Sequence, residues 1–104
     1  MGMFTFATDI NKGVAEYQAT PGALLVDVRT PDEYAAGHIS GSINIPLASL
    51  PARCDALGGL DTPLFVHCLS GGRSGQAVSF LKRAGFTNVK NIGGINAWHG
   101  KVEK

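Results

Sequence analysis

Two short apolar runs constrain this chain of 104 residues more than any other feature. Ala23-Leu24-Leu25-Val26-Asp27-Val28 and Pro63-Leu64-Phe65-Val66-His67 lack the alternation of a strand with one wet face. They read as strands covered on both sides, the environment of a parallel sheet layered between helices. The second run delivers Cys68, and Leu69-Ser70-Gly71-Gly72-Arg73-Ser74 follows at once. A helix is expected over 73–84, with Ala77, Phe80, Leu81 and Ala84 facing inward and Gly85 as its C-cap. Strand, glycine-rich loop and helix N-terminus together aim backbone N–H groups at one sulfur. Such a nest favours an anion and lowers a cysteine pKa from its free value of about 8.5. A buried structural cysteine is the ordinary alternative, but that role does not need Ser-Gly-Gly-Arg-Ser wrapped behind it.

The remaining elements follow from local signals. Residues 3–6 are short and β-prone. Asp9 caps a helix over 10–19, with Ile10, Val14 and Tyr17 on one face. Thr30-Pro31-Asp32-Glu33 is a capping box with proline at the first helical position, and the brief helix stops at Gly37. A strand over 42–45 ends at Pro46, and a third helix is expected over 48–57, with Cys54 on its polar face. A last strand covers 89–92; Gly93-Gly94 then turns into a segment ending at Ala97-Trp98. Strands alternating with helices indicate β-α-β winding with right-handed crossovers. In such sheets functional groups gather at the carboxyl ends of the strands. Asp27, Arg29 and Cys68 all fall there, which predicts one shared site.

Composition removes several classes of function. Formal net charge is +1 without basic or acidic runs, so no nucleic-acid footprint is expected. Lys82-Arg83 suits a helix end. Two cysteines make no disulfide framework, and they and three scattered histidines lack zinc spacing. No metal site is expected. Apolar runs fall short of membrane-spanning length, and the first residues do not read as a signal peptide. Residues 1–104 are expected to form one domain in a cytoplasmic, reducing environment, which suits a working thiol.

Three motifs in order resemble the rhodanese family of single-domain sulfurtransferases, over nearly the whole chain. Leu24 to Arg29 with Glu33-Tyr34, then Gly37-His38-Ile39-Ser40-Gly41-Ser42-Ile43-Asn44-Ile45-Pro46, resembles its first signature. Cys68 to Ser74 resembles its active-site loop, and Gly85-Phe86 through Val89, Gly93-Gly94 and Ala97-Trp98 its C-terminal signature. The resemblance implies a three-layer α/β/α fold around a five-stranded, mainly parallel sheet. It also implies a Cys68 persulfide loaded by a small donor such as thiosulfate. A thiol, cyanide or protein acceptor then unloads it, without metal or organic cofactor. The backbone of Leu69, Ser70, Gly71, Gly72, Arg73 and Ser74 would supply donors to the anion. Leu69 stands where many thiosulfate-using relatives carry a basic residue, which leaves Arg73 as the nearest cation.

Arg73 stands between two roles, clamping the donor or pairing with Asp27 or Glu33. Asp27 is expected to accept hydrogen bonds from loop backbone and Arg29 to pair with Glu33, both as loop support. His67 should point away from Cys68, because neighbours on a strand alternate. His38 is expected to hold loop backbone. Two rivals remain open. A cysteine phosphatase or arsenate reductase of the same fold would use a loop one residue longer between cysteine and arginine. A non-catalytic interaction or sulfur-carrier module would keep only the fold.

Overall fold

The computed structural model describes residues 9–104. Strands Leu24–Asp27 (β1), Ser42–Asn44 (β2), Leu64–Cys68 (β3) and Val89–Gly94 (β4) form one sheet in the order β2-β1-β3-β4. All three pairings are parallel. The expected count was five strands; the described residues hold four, and the candidate at 3–6 lies outside them.

Helix Ile10–Ala19 (α1) precedes β1, and helices Pro31–Ala36 (α2), Leu50–Arg53 (α3) and Gly72–Arg83 (α4) lie between successive strands. The expected helix over 48–57 is instead three pieces, with 3-10 turns at Leu47–Ser49 and Cys54–Leu57 flanking α3. Pro51 lacks an N–H to continue the ladder and restricts the residue before it. The change of helical period also turns Cys54 half-inward against the core, off the polar face expected for it.

The sheet divides the core in two. Val26, Leu64, Val66 and Cys68 pack with Ala77 and Leu81 of α4. On the opposite side Leu25, Phe65 and Ile92 meet Ile10 and Val14 of α1. Alternation along β3 therefore sends Cys68 toward α4 and His67 toward the α1 side. Each fully buried leucine or valine contributes about 2 kcal/mol by leaving water. Ala84, expected inward, is exposed: α4 ends at Arg83 and the chain reverses through Gly85, with φ +106°.

One irregularity borders the site. Val66 pairs with Asn91 but His67 with Gly93, so Ile92 is an extra residue in β4. Asn91 comes before this bulge and keeps the face of Val66, from which its side chain reaches the loop that follows Cys68.

Candidate active site

The N-terminus of α4 has no side-chain cap; its cap position is Gly71, at φ +106° and ψ −14°. That left-handed conformation is open to glycine at little cost. It lets the Gly71 N–H donate to Cys68 Sγ at 3.0 Å, while the Ser74 hydroxyl lies 3.4 Å from the same sulfur. The sulfur thus takes the place of a capping oxygen at the positive end of a twelve-residue helix. Burial pushes the Cys68 thiol up. The Ser74 hydroxyl and the backbone amides of Ser74, Gly71 and Ser70 together outweigh it, so its pKa lies below the ordinary value. The sulfur sits at the floor of the loop. Cys68 is 1% exposed, whereas Leu69 on the rim is 44% exposed.

A platform on β4 fixes the loop from behind. Ser74 Oγ lies 2.8 Å from Asn91 Oδ1, 3.1 Å from the Gly71 carbonyl and 3.5 Å from the Gly93 carbonyl. Asn91 Nδ2 donates to the Gly71 carbonyl at 3.2 Å, and the Gly93 N–H donates to Asn91 Oδ1 at 3.0 Å. The Asn96 N–H donates to the Leu69 carbonyl at 3.1 Å. At Gly94 a β-carbon would lie 2.1 Å from the Leu69 carbonyl oxygen and 2.5 Å from Ser70 Cα, so backbone packs on backbone there. Sequence reasoning missed Asn91 as part of the site. Its only sequence signal was a polar side chain two residues before Gly93-Gly94, in a run otherwise read as strand.

Asp27 and Arg29 are at the strand ends, as expected, but their side chains do not hold the cysteine loop. Asp27 is fully buried and accepts from the Arg29 backbone N–H and from its guanidinium, at 3.0 and 2.7 Å. Arg29 also donates to the Gly37 carbonyl at 2.7 Å. Asp27 lies on the His67 side of the sheet, and the pair braces the β1–α2 corner instead. The Arg29–Glu33 pair expected from sequence does not form, because Glu33 is taken by Arg73. Both guanidinium arms of Arg73 meet its two oxygens, at 2.6 and 3.0 Å. Fork-on-carboxylate geometry of this kind is specific and charge-assisted. It holds the Glu33 carboxyl down to about 2, with help from the Thr30 N–H. This bridge between α2 and α4 is the direct side-chain link from the braced corner to the sulfur loop.

His67 is fully buried, with Nδ1 3.1 Å from the Cys68 carbonyl and Nε2 3.8 Å from Asp27 Oδ2. Desolvation lowers its pKa against the pull of Asp27. It packs on the face opposite the sulfur. His38 stacks on Tyr34 at 3.9 Å between ring centroids, and its Nδ1 lies 2.9 Å from the Tyr34 carbonyl. Trp98 is half-buried against the α1-side core. Among the described residues no group of three or more His, Cys, Asp or Glu gathers to hold a metal, and no helix is long and apolar enough to cross a membrane.

Four residues separate Cys68 from Arg73, and the backbone amides of Ser70, Gly71 and Ser74 face the sulfur. Residues 10–101 match the Rhodanese-like domain. The chain belongs to the rhodanese family. It is 36% identical to the protein YqhL of Bacillus subtilis over 96% of this chain and 82% of that one. It is 42% identical to the thiosulfate sulfurtransferase GlpE of Stutzerimonas stutzeri over 74% of this chain and 71% of that one. Among solved structures it is similar to a rhodanese from E. coli determined with anions. The TM-score there is 0.73 and the identity 35%, over 79% of this chain and 98% of that one. The rhodanese fold thus accounts for the parallel layers and for the sulfur loop at the mouth of β3.

Proposed function

We propose that this rhodanese-family chain is a sulfurtransferase that carries a sulfane sulfur on Cys68. The single observation carrying the reading is the sulfur of Cys68 standing as the cap of α4, hydrogen-bonded by Gly71 N–H and beside the Ser74 hydroxyl. Relatives named thiosulfate sulfurtransferases support it at 39% and 42% identity. In the first half-reaction the Cys68 thiolate attacks the outer sulfur of a donor such as thiosulfate. A new S–S bond forms, the old one breaks, and sulfite leaves with the bonding pair. In the second half cyanide or a thiolate takes that outer sulfur, giving thiocyanate or a new persulfide, and returns Cys68 as thiolate. Splitting one transfer in two lowers each barrier. Amides already aimed at the sulfur need no reorganisation as charge moves to its neighbour.

Arg73 acts as scaffold in this reading, since both its arms are on Glu33. The donor reaches the sulfur through the rim at Leu69, Ser70 and Gly72, all exposed; a side chain at Gly72 would meet nothing within 4 Å. The four-residue spacing disfavours a tetrahedral phosphate, so no phosphatase activity is expected.

Thiocyanate release from thiosulfate and cyanide tests the proposal. Turnover in the wild type that vanishes in Cys68→Ser, with aryl phosphate left untouched, is the expected result. Turnover retained in Cys68→Ser would overturn it. Failure with thiosulfate and with every organic persulfide tried would leave the interaction module as the better reading.

A further inference from the structure

Ser74 Oγ carries one hydrogen, yet four acceptors surround it. They are Asn91 Oδ1 at 2.8 Å, the Gly71 carbonyl at 3.1 Å, Cys68 Sγ at 3.4 Å and the Gly93 carbonyl at 3.5 Å. A hydroxyl donates once, so these contacts cannot all be served at the same time. The nearest acceptor is also the most firmly oriented. Asn91 Oδ1 receives the Gly93 N–H at 3.0 Å while Asn91 Nδ2 donates to the Gly71 carbonyl at 3.2 Å. Flipping the amide would set its NH₂ against the Gly93 N–H and its oxygen against the Gly71 carbonyl, which the network rejects.

We infer that Asn91 is a positioning residue that holds the Ser74 hydrogen in reserve and hands it to Cys68 only when that sulfur is charged. In the thiol, Cys68 S–H donates to Ser74 Oγ and Ser74 donates to Asn91 Oδ1. When the thiol proton leaves to solvent, the Ser74 hydroxyl turns from Asn91 to the sulfur anion. Once the persulfide forms, the inner sulfur is bonded on both sides and bears little charge. The hydroxyl then returns to Asn91, and the outer sulfur keeps the loop amides to itself. Asn91 stands in register with Val66, so strand alternation turns it to the α4 face, where it meets this hydroxyl from a strand outside the sulfur loop.

The idea rests on the reading of Cys68 as a thiolate nucleophile and deepens it. Acceptor competition makes a signed forecast. Asn91 draws the hydrogen from the sulfur, so removing its acceptor stabilises the thiolate, and adding charge to it does the reverse. Ionisable neighbours do not supply an alternative. Arg73 on α4 is closed on Glu33 of α2, and Asp27 on β1 is closed on Arg29. His67 of β3 faces the other side of the sheet, and Lys90 of β4 pairs with Glu16 of α1 at 3.4 Å.

The experiment is the pH dependence of Cys68 alkylation by iodoacetamide, in a Cys54→Ser background, with circular dichroism to confirm folding. Asn91→Leu is expected to lower the midpoint by about half a unit and Asn91→Asp to raise it by about one. In a Ser74→Ala background the lowering by Asn91→Leu disappears, because the hydrogen being contested is gone. Should Asn91→Leu not fold, Asn91→Ala takes its place in both arms. Shifts of the same sign, no shift, or a lowering that survives Ser74→Ala would overturn the inference. Alkylation needs no sulfur donor. A chain that takes no sulfur yet shows these shifts would sink the sulfurtransferase reading alone, and a chain that turns over without them would sink this inference alone.

Discussion

Two helices begin beside the site, and their N-termini are finished in opposite ways. At α2, Thr30 Oγ1 accepts from the Glu33 N–H at 3.3 Å and Glu33 Oε1 accepts from the Thr30 N–H at 3.0 Å. Arg73 then engages the same carboxylate, so that end is saturated by the chain's own side chains. At α4 the cap position is a glycine with no side-chain cap, and its N–H donates to the sulfur of Cys68. A saturated end stabilises; an end completed by a reactive atom leaves donors available to whatever that atom becomes. In the proposed reading the chemistry belongs to α4, and the Arg73–Glu33 bridge ties its loop to the corner braced by Asp27 and Arg29.

The sharpest way to break this contrast is to unbalance the braced corner. Asp27→Asn leaves the Arg29 guanidinium buried without its counter-charge, at 6% side-chain exposure. Stability is expected to fall by about 3 kcal/mol or more. The protein that remains folded should transfer sulfur at close to the wild-type rate, since Asp27 makes no hydrogen bond to residues 69–74. Equilibrium denaturation alongside turnover checks both halves; a specific loss of turnover with stability intact would place Asp27 in the chemistry.

Next comes Gly94→Ala, which attacks the other end. Its methyl would drive into the Leu69 carbonyl and Ser70 Cα, and relieving such a contact costs about 1–3 kcal/mol. Because the atoms displaced belong to the sulfur loop, activity is expected to fall much further than stability. Proportionate losses would mean that the loop tolerates the shift and its geometry matters less than claimed.

The smallest effect tests the link between the two ends. Glu33→Gln keeps an acceptor for the Thr30 N–H but removes the charge facing Arg73. A half-exposed pair of this kind contributes about 1 kcal/mol at most. The Glu33 pKa is depressed from 4.5 to about 2. Its contribution is therefore fully present above pH 4.5 and is lost as pH falls from there toward 2. Urea midpoints across that window should converge for wild type and variant at the acid end. Curves that stay parallel would show that the bridge is not what Glu33 supplies.

Local signals carried much of this architecture. The Asp9 cap, the Thr30 capping box and the two apolar runs each specify their element within a few residues, and α1 begins and ends as its pattern predicts. Strand alternation alone was enough to turn His67 away from Cys68. Partner choice was not legible. Glu33 and Arg73 are 40 residues apart, and only the fold, which brings Arg73 to Glu33 and closes Arg29 on Asp27, decides that Glu33 serves Arg73 instead of Arg29. Asn91 stayed hidden for a related reason: alternation puts it on the α4 face with Val89, but only the fold brings Ser74, 17 residues away, to that face. The single helix expected over 48–57 is interrupted at Pro51, whose missing N–H and ring disrupt the turn before it.

The most direct test of the central claim is mass spectrometry of the peptides containing Cys68 and Cys54 after incubation with a sulfur donor. The account predicts one added sulfur on Cys68, none on Cys54, and its removal by cyanide with release of thiocyanate. Sulfur found on Cys54 alone, or an adduct on Cys68 that cyanide cannot strip, would contradict it.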